Sequence, residues 1–242
     1  MSRFLDAPSR RRYLRPRLRF LYVFLIASSP AACGPRAAAR IPLPQPETVA
    51  AALQERNAPD APRLTWFRWR YYGREGNFGG EGALRFDPGG RARVDLLGPS
   101  SATVEIAILR GDTLRLVSEA SGGVRLPPPA FLWAMAGVFR PPSPAPSRGR
   151  TGDGLTVLEY DRGGEGALRY VFDRDGRIRQ VVQLRDGRAE QDLSLTWGES
   201  ATAVPRAAEF RDLRRFRRIR LEVKESRAHA PFDSDLFCLQ AC

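Results

Sequence analysis

Few side chains in this 242-residue sequence are of types that could do covalent chemistry. His229 is the single histidine and sits between Ala228 and Ala230. A catalytic serine or cysteine would have to be brought to it in space, because nucleophile and base must lie within hydrogen-bond reach. Asp233 and Asp235 form a carboxylate pair in a loop, without the further acidic ligands that a calcium site needs. The three cysteines, Cys33, Cys238 and Cys242, make no C-x-x-C pair and no zinc-like cluster. The glycine clusters Gly79-Gly80-Glu81-Gly82 and Gly163-Gly164-Glu165-Gly166 lack the Gly-Lys-Ser/Thr of a phosphate loop. These residues predict no catalytic set, no metal ligands and no cofactor, and point to binding rather than catalysis.

Cys33 carries chemistry of another kind. An apolar run from Phe20 to Ala27 follows Arg3, Arg10, Arg11, Arg12, Arg15, Arg17 and Arg19. A bilayer span needs roughly 20 apolar residues, so this run is too short to cross. A basic start, a short apolar stretch and a small-residue end predict an export signal over residues 1–32. Ala31-Ala32-Cys33-Gly34 then resembles the bacterial lipobox, with Pro30 where leucine is usual. That resemblance implies cleavage before Cys33 and lipid attachment to its thiol. Ordinary secretion with a cut near Ala32 is the other reading. Stable anchoring takes more than one acyl chain, so a multiply acylated Cys33 would hold the protein on a membrane. Residues 33–45, rich in Ala, Pro and Arg, read as a tether, and residues 46–242 as one domain. With Cys33 acylated, Cys238 and Cys242 can bridge if the C-terminus turns; two free thiols is the alternative.

Charge narrows the partners. Residues 33–242 hold 32 of the 39 basic and 26 of the 27 acidic residues, a net charge of about +6. Nucleic-acid binding needs basic clusters with aromatic platforms, and the stretch Arg211 to Arg220 is the nearest to that. Its alternation around Phe216 and Ile219 reads as a solvated strand face. Attraction to anionic lipid headgroups suits an exported chain better than nucleic acid does.

The elements that must position any site are mostly strands. Pro46 to Leu53 reads as a short helix, with proline in its first turn and alanines after it. From Leu64 the apolar period becomes two: Phe67, Trp69 and Tyr71; Leu84 and Phe86; Val94 and Leu96; Ile106 and Ile108; Leu114 and Leu116. The second half continues with Leu155 and Val157; Leu168, Tyr170 and Phe172; Ile178, Val182 and Leu184; Leu193, Leu195 and Trp197; Ile219, Leu221 and Val223. Alternation with polar residues predicts antiparallel strands with one apolar face. Arg110-Gly111-Asp112-Thr113 and Arg185-Asp186-Gly187-Arg188 read as tight hairpin turns. Gly-Gly-Glu-Gly-Ala-Leu-Arg occurs twice, at 79–85 and 163–169, which reads as two hairpins with the same local needs. Between the halves, Pro127-Pro128-Pro129 leads into a short, almost wholly apolar helix from Ala130 to Phe139, ended by Gly137 and Pro141-Pro142. Exposed, such a helix would be sticky, so it must cover something greasy.

The order of these features resembles the bacterial lipoprotein-localisation family of LolA and LolB. The residues that carry the likeness are the N-terminal helix, Val94-Asp95-Leu96-Leu97-Gly98-Pro99, the proline-led apolar helix and the ending Pro231-Phe232-Asp233-Ser234-Asp235-Leu236-Phe237. The likeness implies a mainly β fold with short helices: an incomplete, strongly curved antiparallel β-barrel with a helical lid. It implies an apolar cavity for lipid or lipoprotein acyl chains, and a place on the outer membrane facing the periplasm. Predicted lipid contacts are Phe67, Trp69, Leu84, Phe86, Ile106, Leu114, Phe131 and Met135. The competing reading is a structural or assembly lipoprotein whose core is solid and whose surface meets protein partners.

Overall fold

The computed structural model describes residues 41–74, 76–98, 103–119, 124–198 and 204–238. The export segment, Cys33 and Cys242 lie outside them. The described strands are β1 (Ile41–Pro42), β2 (Arg63–Gly73), β3 (Gly76–Asp87), β4 (Arg91–Leu97), β5 (Thr103–Arg110), β6 (Thr113–Glu119), β7 (Arg148–Gly152), β8 (Leu155–Asp161), β9 (Ala167–Phe172), β10 (Ile178–Arg185), β11 (Arg188–Thr196), β12 (Ala207–Asp212) and β13 (Arg217–Ala228). Two α-helices, α1 (Pro46–Arg56) and α2 (Pro129–Met135), complete the main elements.

All thirteen strands join one antiparallel sheet in the order β1-β7-β8-β9-β10-β11-β12-β13-β2-β3-β4-β5-β6. Its outer strands, β1 and β6, do not pair, so the barrel is incomplete. Laid flat at about 4.8 Å between strands, such a sheet would be nearly 60 Å wide. Yet Phe67 of β2, Leu96 of β4, Tyr160 of β8, Phe172 of β9 and Phe210 of β12 belong to one buried cluster with residues of both helices. The sheet must therefore curl strongly around its apolar face.

Glycine makes the tightest part of that curl possible. On β3, Gly82 lies opposite Phe67 and Gly80 opposite Trp69. A Cβ on Gly82 would stand 2.5 Å from the Phe67 ring, and one on Gly80 only 1.9 Å from the Leu97 carbonyl oxygen. The two aromatic rings thus lie across bare backbone, and Trp69 Nε1–H donates to the carbonyls of Glu81 at 3.0 Å and Leu97 at 3.1 Å. The second copy of the glycine sequence does other work. Gly163–Glu165 is a 3-10 turn and Gly166 has φ +87°, so the two copies are not equivalent hairpins.

Several inward faces differ from the sequence reading. On β5, Leu109 joins the core cluster, while Ile106 pairs with Asp95 on the opposite face. Ile108 is buried and shares the outer face of β5 with Ile106; Phe237, in the C-terminal 3-10 turn, is buried too and stacks under the Arg91 guanidinium at 5.0 Å. On β8 the core takes Leu158 and Tyr160, and Val157 packs with Leu155 and Val171 in a separate small cluster. On β10 a bulge between Ile178 and Gln180 changes the phase, so that Ile178 and Val181 point inward and Val182 does not reach the core cluster. Residues 41–43, read as tether, are tied into the sheet: Ile41 pairs with Thr151, and Leu43 N–H donates to Gly149 O at 2.9 Å. Cys238 is disulfide-bonded, with its partner outside the described residues.

Candidate binding crevice

The site forms between α2 and the part of the sheet running β12-β13-β2-β3-β4. Alternation puts Thr65, Phe67 and Trp69 of β2 on the concave surface, beside Leu84 of β3, Val94 and Leu96 of β4, Ala208 of β12, and Ile219, Leu221 and Val223 of β13. The roof comes from Leu126 and Pro127, from Leu132, Met135 and Ala136 of α2 and its end, and from Val204 and Pro205. Among the described residues Thr65 supplies the only side-chain hydroxyl of the lining, and it is engaged with the Ser226 hydroxyl at 2.9 Å. The crevice encloses a volume of about 50 Å³. Ligand pockets run to roughly 300–1,000 Å³, so as it stands the crevice is too small for an acyl chain.

The roof helix is held by its far side. Trp133 Nε1–H donates to Gly111 O at 2.7 Å, and its ring meets Phe86 edge-on at 5.8 Å. Phe131 meets Phe210 at 5.2 Å, and Phe139 lies 4.9 Å from both Tyr170 and Phe172. Proline at the start fixes the approach of α2, and Gly137, with φ +80°, ends it. The residues facing the crevice, Leu132 and Met135, are not pinned by such contacts. Met135 has three rotatable side-chain bonds and can vacate space at little cost.

A wider, polar cavity of about 340 Å³ adjoins the crevice. Thr65, Leu84, Ala136 and Val204 line both. Its rim carries Arg56, Arg63 and Arg177, with Asp60 and Asp175. Arg56 donates to the Asp175 carbonyl at 3.2 Å, and Arg63 reaches Asp60 only at 3.9 Å on a carboxylate that is 93% exposed. Arg177 lies over the Trp197 ring at 5.5 Å. Asn57 fixes the end of α1 to this rim by donating to Leu53 O at 2.7 Å and Gly176 O at 2.9 Å. An apolar slot opening into a cationic vestibule can hold an amphiphile, with its chain inside and an anionic head outside.

Of the residues predicted as lipid contacts, Phe67, Trp69, Leu84 and Met135 line the crevice, and Phe86 lines the vestibule. Phe131 is turned toward Phe210, away from the crevice. Leu114 packs against the core from β6, and Ile106 is on the other sheet face. The sequence reading missed Leu126, Pro127, Val204 and Pro205, which sit in segments with no apolar period. The proline cluster before α2 was the one available signal for the first two.

Two tyrosines mark the opposite side of the core. The hydroxyls of Tyr160 and Tyr170 are buried without a hydrogen-bond partner among the described residues. Burial pushes both above the ordinary phenol range, and for Tyr170 the neighbouring Tyr160 and Asp112 add to the rise. His229 is exposed, its Nδ1–H donating to Ala230 O at 2.7 Å and its ring stacked on Phe232 at 4.4 Å. Among the described residues no group of three or more His, Cys, Asp or Glu is placed to hold a metal ion, and no helix is long and apolar enough to cross a membrane.

No protein-family model matches this chain, and no curated protein does. Solved structures share its fold. The LolA superfamily protein NE2245 from Nitrosomonas europaea is 12% identical and matches with a TM-score of 0.53 over 77% of this chain and 96% of that one. An outer membrane lipoprotein-sorting protein domain from Vibrio parahaemolyticus is 9% identical, with a TM-score of 0.49 over 79% of this chain and 96% of its own. At such identities the likeness is one of fold alone. The chain has a LolA-like fold, the incomplete barrel that the resemblance implied.

Proposed function

We propose that this chain is a membrane-anchored envelope lipoprotein that shelters lipid or lipoprotein acyl chains beneath α2, in outer-membrane lipoprotein or lipid trafficking. The observation that carries the reading is the apolar crevice between α2 and strands β2, β3, β4, β12 and β13, which shares four lining residues with the arginine-rimmed vestibule. The lipobox-like Ala31-Ala32-Cys33-Gly34 and the LolA-like fold agree with it. Cys33 would carry the anchor, and the protein would face the periplasm from the outer membrane. Binding is hydrophobic burial: each methylene taken from water contributes about 0.8 kcal/mol. Room is made by displacing Leu132 and Met135 while Phe131, Trp133 and Phe139 keep the helix attached.

A second reading has its own observation. Phe131, Trp133 and Phe139 are each 1% exposed, so most of the concave face is already filled by the chain itself. A filled core suits an assembly lipoprotein acting through protein partners.

Capture of a fluorescent fatty acid separates the two. The purified chain should bind it, and Leu84→Trp, which blocks the junction between crevice and vestibule, should abolish binding without lowering the unfolding temperature. Met135→Asp should also abolish binding, and its carboxylate, placed at a buried position, should lower the unfolding temperature as well. Capture undiminished by both changes overturns the crevice reading and leaves the filled-core one.

A further inference from the structure

Two of the exposed large apolar side chains among the described residues share one turn, while Ile41 on β1 and Leu116 and Val117 on β6 stand apart from it. Leu213 and Phe216 both stand on the four-residue turn between β12 and β13, 47% and 69% exposed. Phe78, also exposed, sits on the neighbouring β2–β3 hairpin. Phe216 is held at φ +52°, a left-handed conformation that bulky L-residues avoid. The most exposed aromatic side chain among the described residues is thus held outward, in a backbone state that glycine would fill more easily.

The base of the turn is rigid. The Asp212 carboxylate accepts from Arg215 N–H at 3.0 Å and Arg217 Nε–H at 3.1 Å, and Arg217 also donates to Arg125 O at 3.1 Å. Around the tip the charge is one-sided. Arg214 shares Glu190, Arg211 pairs with Glu209 and Arg220 with Glu222. Arg70, Arg74, Arg215 and Arg218 have no carboxylate partner among the described residues. Arg74 covers the Phe216 ring at 5.1 Å, and Arg218 covers Tyr72 at 4.5 Å.

We infer that the β12–β13 turn is a docking tip for an anionic lipid bilayer, Leu213 and Phe216 entering below the headgroups while the free arginines hold lipid phosphates. The chemistry fits a surface that is negative outside and apolar beneath. It fits single-stranded nucleic acid poorly, since Arg74 already occupies a face of the ring on which a base would stack. The inference does not depend on what the crevice holds.

Vesicles test it. The full chain with Cys33→Ser, which removes any acyl anchor, is mixed with vesicles of phosphatidylcholine alone or blended with phosphatidylglycerol. In the same background, the additional tryptophan of Phe216→Trp should shift its emission to the blue on phosphatidylglycerol vesicles only, with salt reversing the shift. Phe216→Gly suits the positive φ and keeps the fold, yet should weaken vesicle binding roughly tenfold. Arg215→Gln should weaken it about fivefold. Three results would each overturn the inference: no emission shift from the tip tryptophan, an equal shift on neutral vesicles, or displacement of the vesicles by a DNA oligonucleotide whose own binding ignores Phe216→Gly.

Discussion

Changing Asp212 to Asn removes one charge from a buried pair and leaves its shape. The Asp212 and Arg217 side chains are 3% and 5% exposed, with Nη2 and Oδ2 3.0 Å apart. Removing one partner of such a pair costs roughly 3–5 kcal/mol, because the other charge stays buried without compensation. Arg217 would keep Arg125 O and the Phe210 ring, 5.9 Å from its guanidinium carbon. The loss should therefore fall at the lower end, about 3 kcal/mol. For a domain of this size that is roughly 6–12 °C in Tm. Urea unfolding at neutral pH reads the loss as a lower midpoint with an unchanged slope. Changing both residues together, Asp212→Leu with Arg217→Met, removes both charges and should recover most of it. A loss under about 1 kcal/mol from Asp212→Asn, with the double variant no better than the single one, would refute the reasoning and make this an ordinary surface pair.

Gly80→Ala places a methyl group 1.9 Å from the Leu97 carbonyl oxygen; the strand must shift, and soluble expression or Tm should fall by more than any surface alanine causes. Gly82→Ala meets the Phe67 ring at 2.5 Å and the Asp95 carbonyl oxygen at 2.8 Å, both farther than the Leu97 oxygen is from a Cβ on Gly80, and should be the milder of the two in the same measurement. Tyr170→Phe discards a buried hydroxyl that makes no hydrogen bond among the described residues, so thermal unfolding at neutral pH should stay within about 1 kcal/mol or improve. Burial makes Tyr160 and Tyr170 weaker acids, so the folded state keeps protons which the unfolded chain loses above about pH 10. Stability should thus be level below that pH and fall above it, and Tyr160→Phe with Tyr170→Phe should flatten the fall in urea titrations. Phe216→Gly should raise the unfolding free energy by about 1 kcal/mol by relieving the left-handed φ.

Where strands are regular, the residues alone gave their inward faces: Phe67, Trp69 and Tyr71 on β2, and Leu168, Tyr170 and Phe172 on β9, are all in the core. The method failed where a period of two is interrupted. The bulge at Ile178/Gln180 moves the β10 stripe by one residue. On β5 the isoleucines looked like the core face because they are the larger residues, yet Ala107 and Leu109 are as deeply buried. Two apolar faces existed there, and hydrophobicity could not choose between them. β7, Arg-Gly-Arg-Thr-Gly, has no apolar residue at all and is a strand only because β8 and β1 flank it. The crevice was legible on its sheet side for the same reason as the strands. Its roof was half legible: helix α2 was expected, but which of its sides meets the slot depends on Trp133 and Phe131 finding partners more than sixteen residues away. Phe216 was read as part of a strand face, and only the turn geometry reveals it as a tip.

The unpaired rims of the sheet are unlike each other. On β1, Pro42 offers no backbone N–H, so that side is a poor template for another strand. On β6 there is no such block, and Leu116 and Val117 stand 43% and 41% exposed beside it. Arg115 places a charge on that rim, and a register shift against β5 twists it. A second copy adding strand to strand would therefore find its better template on β6, where every residue carries a backbone N–H, than on β1, where Pro42 has none.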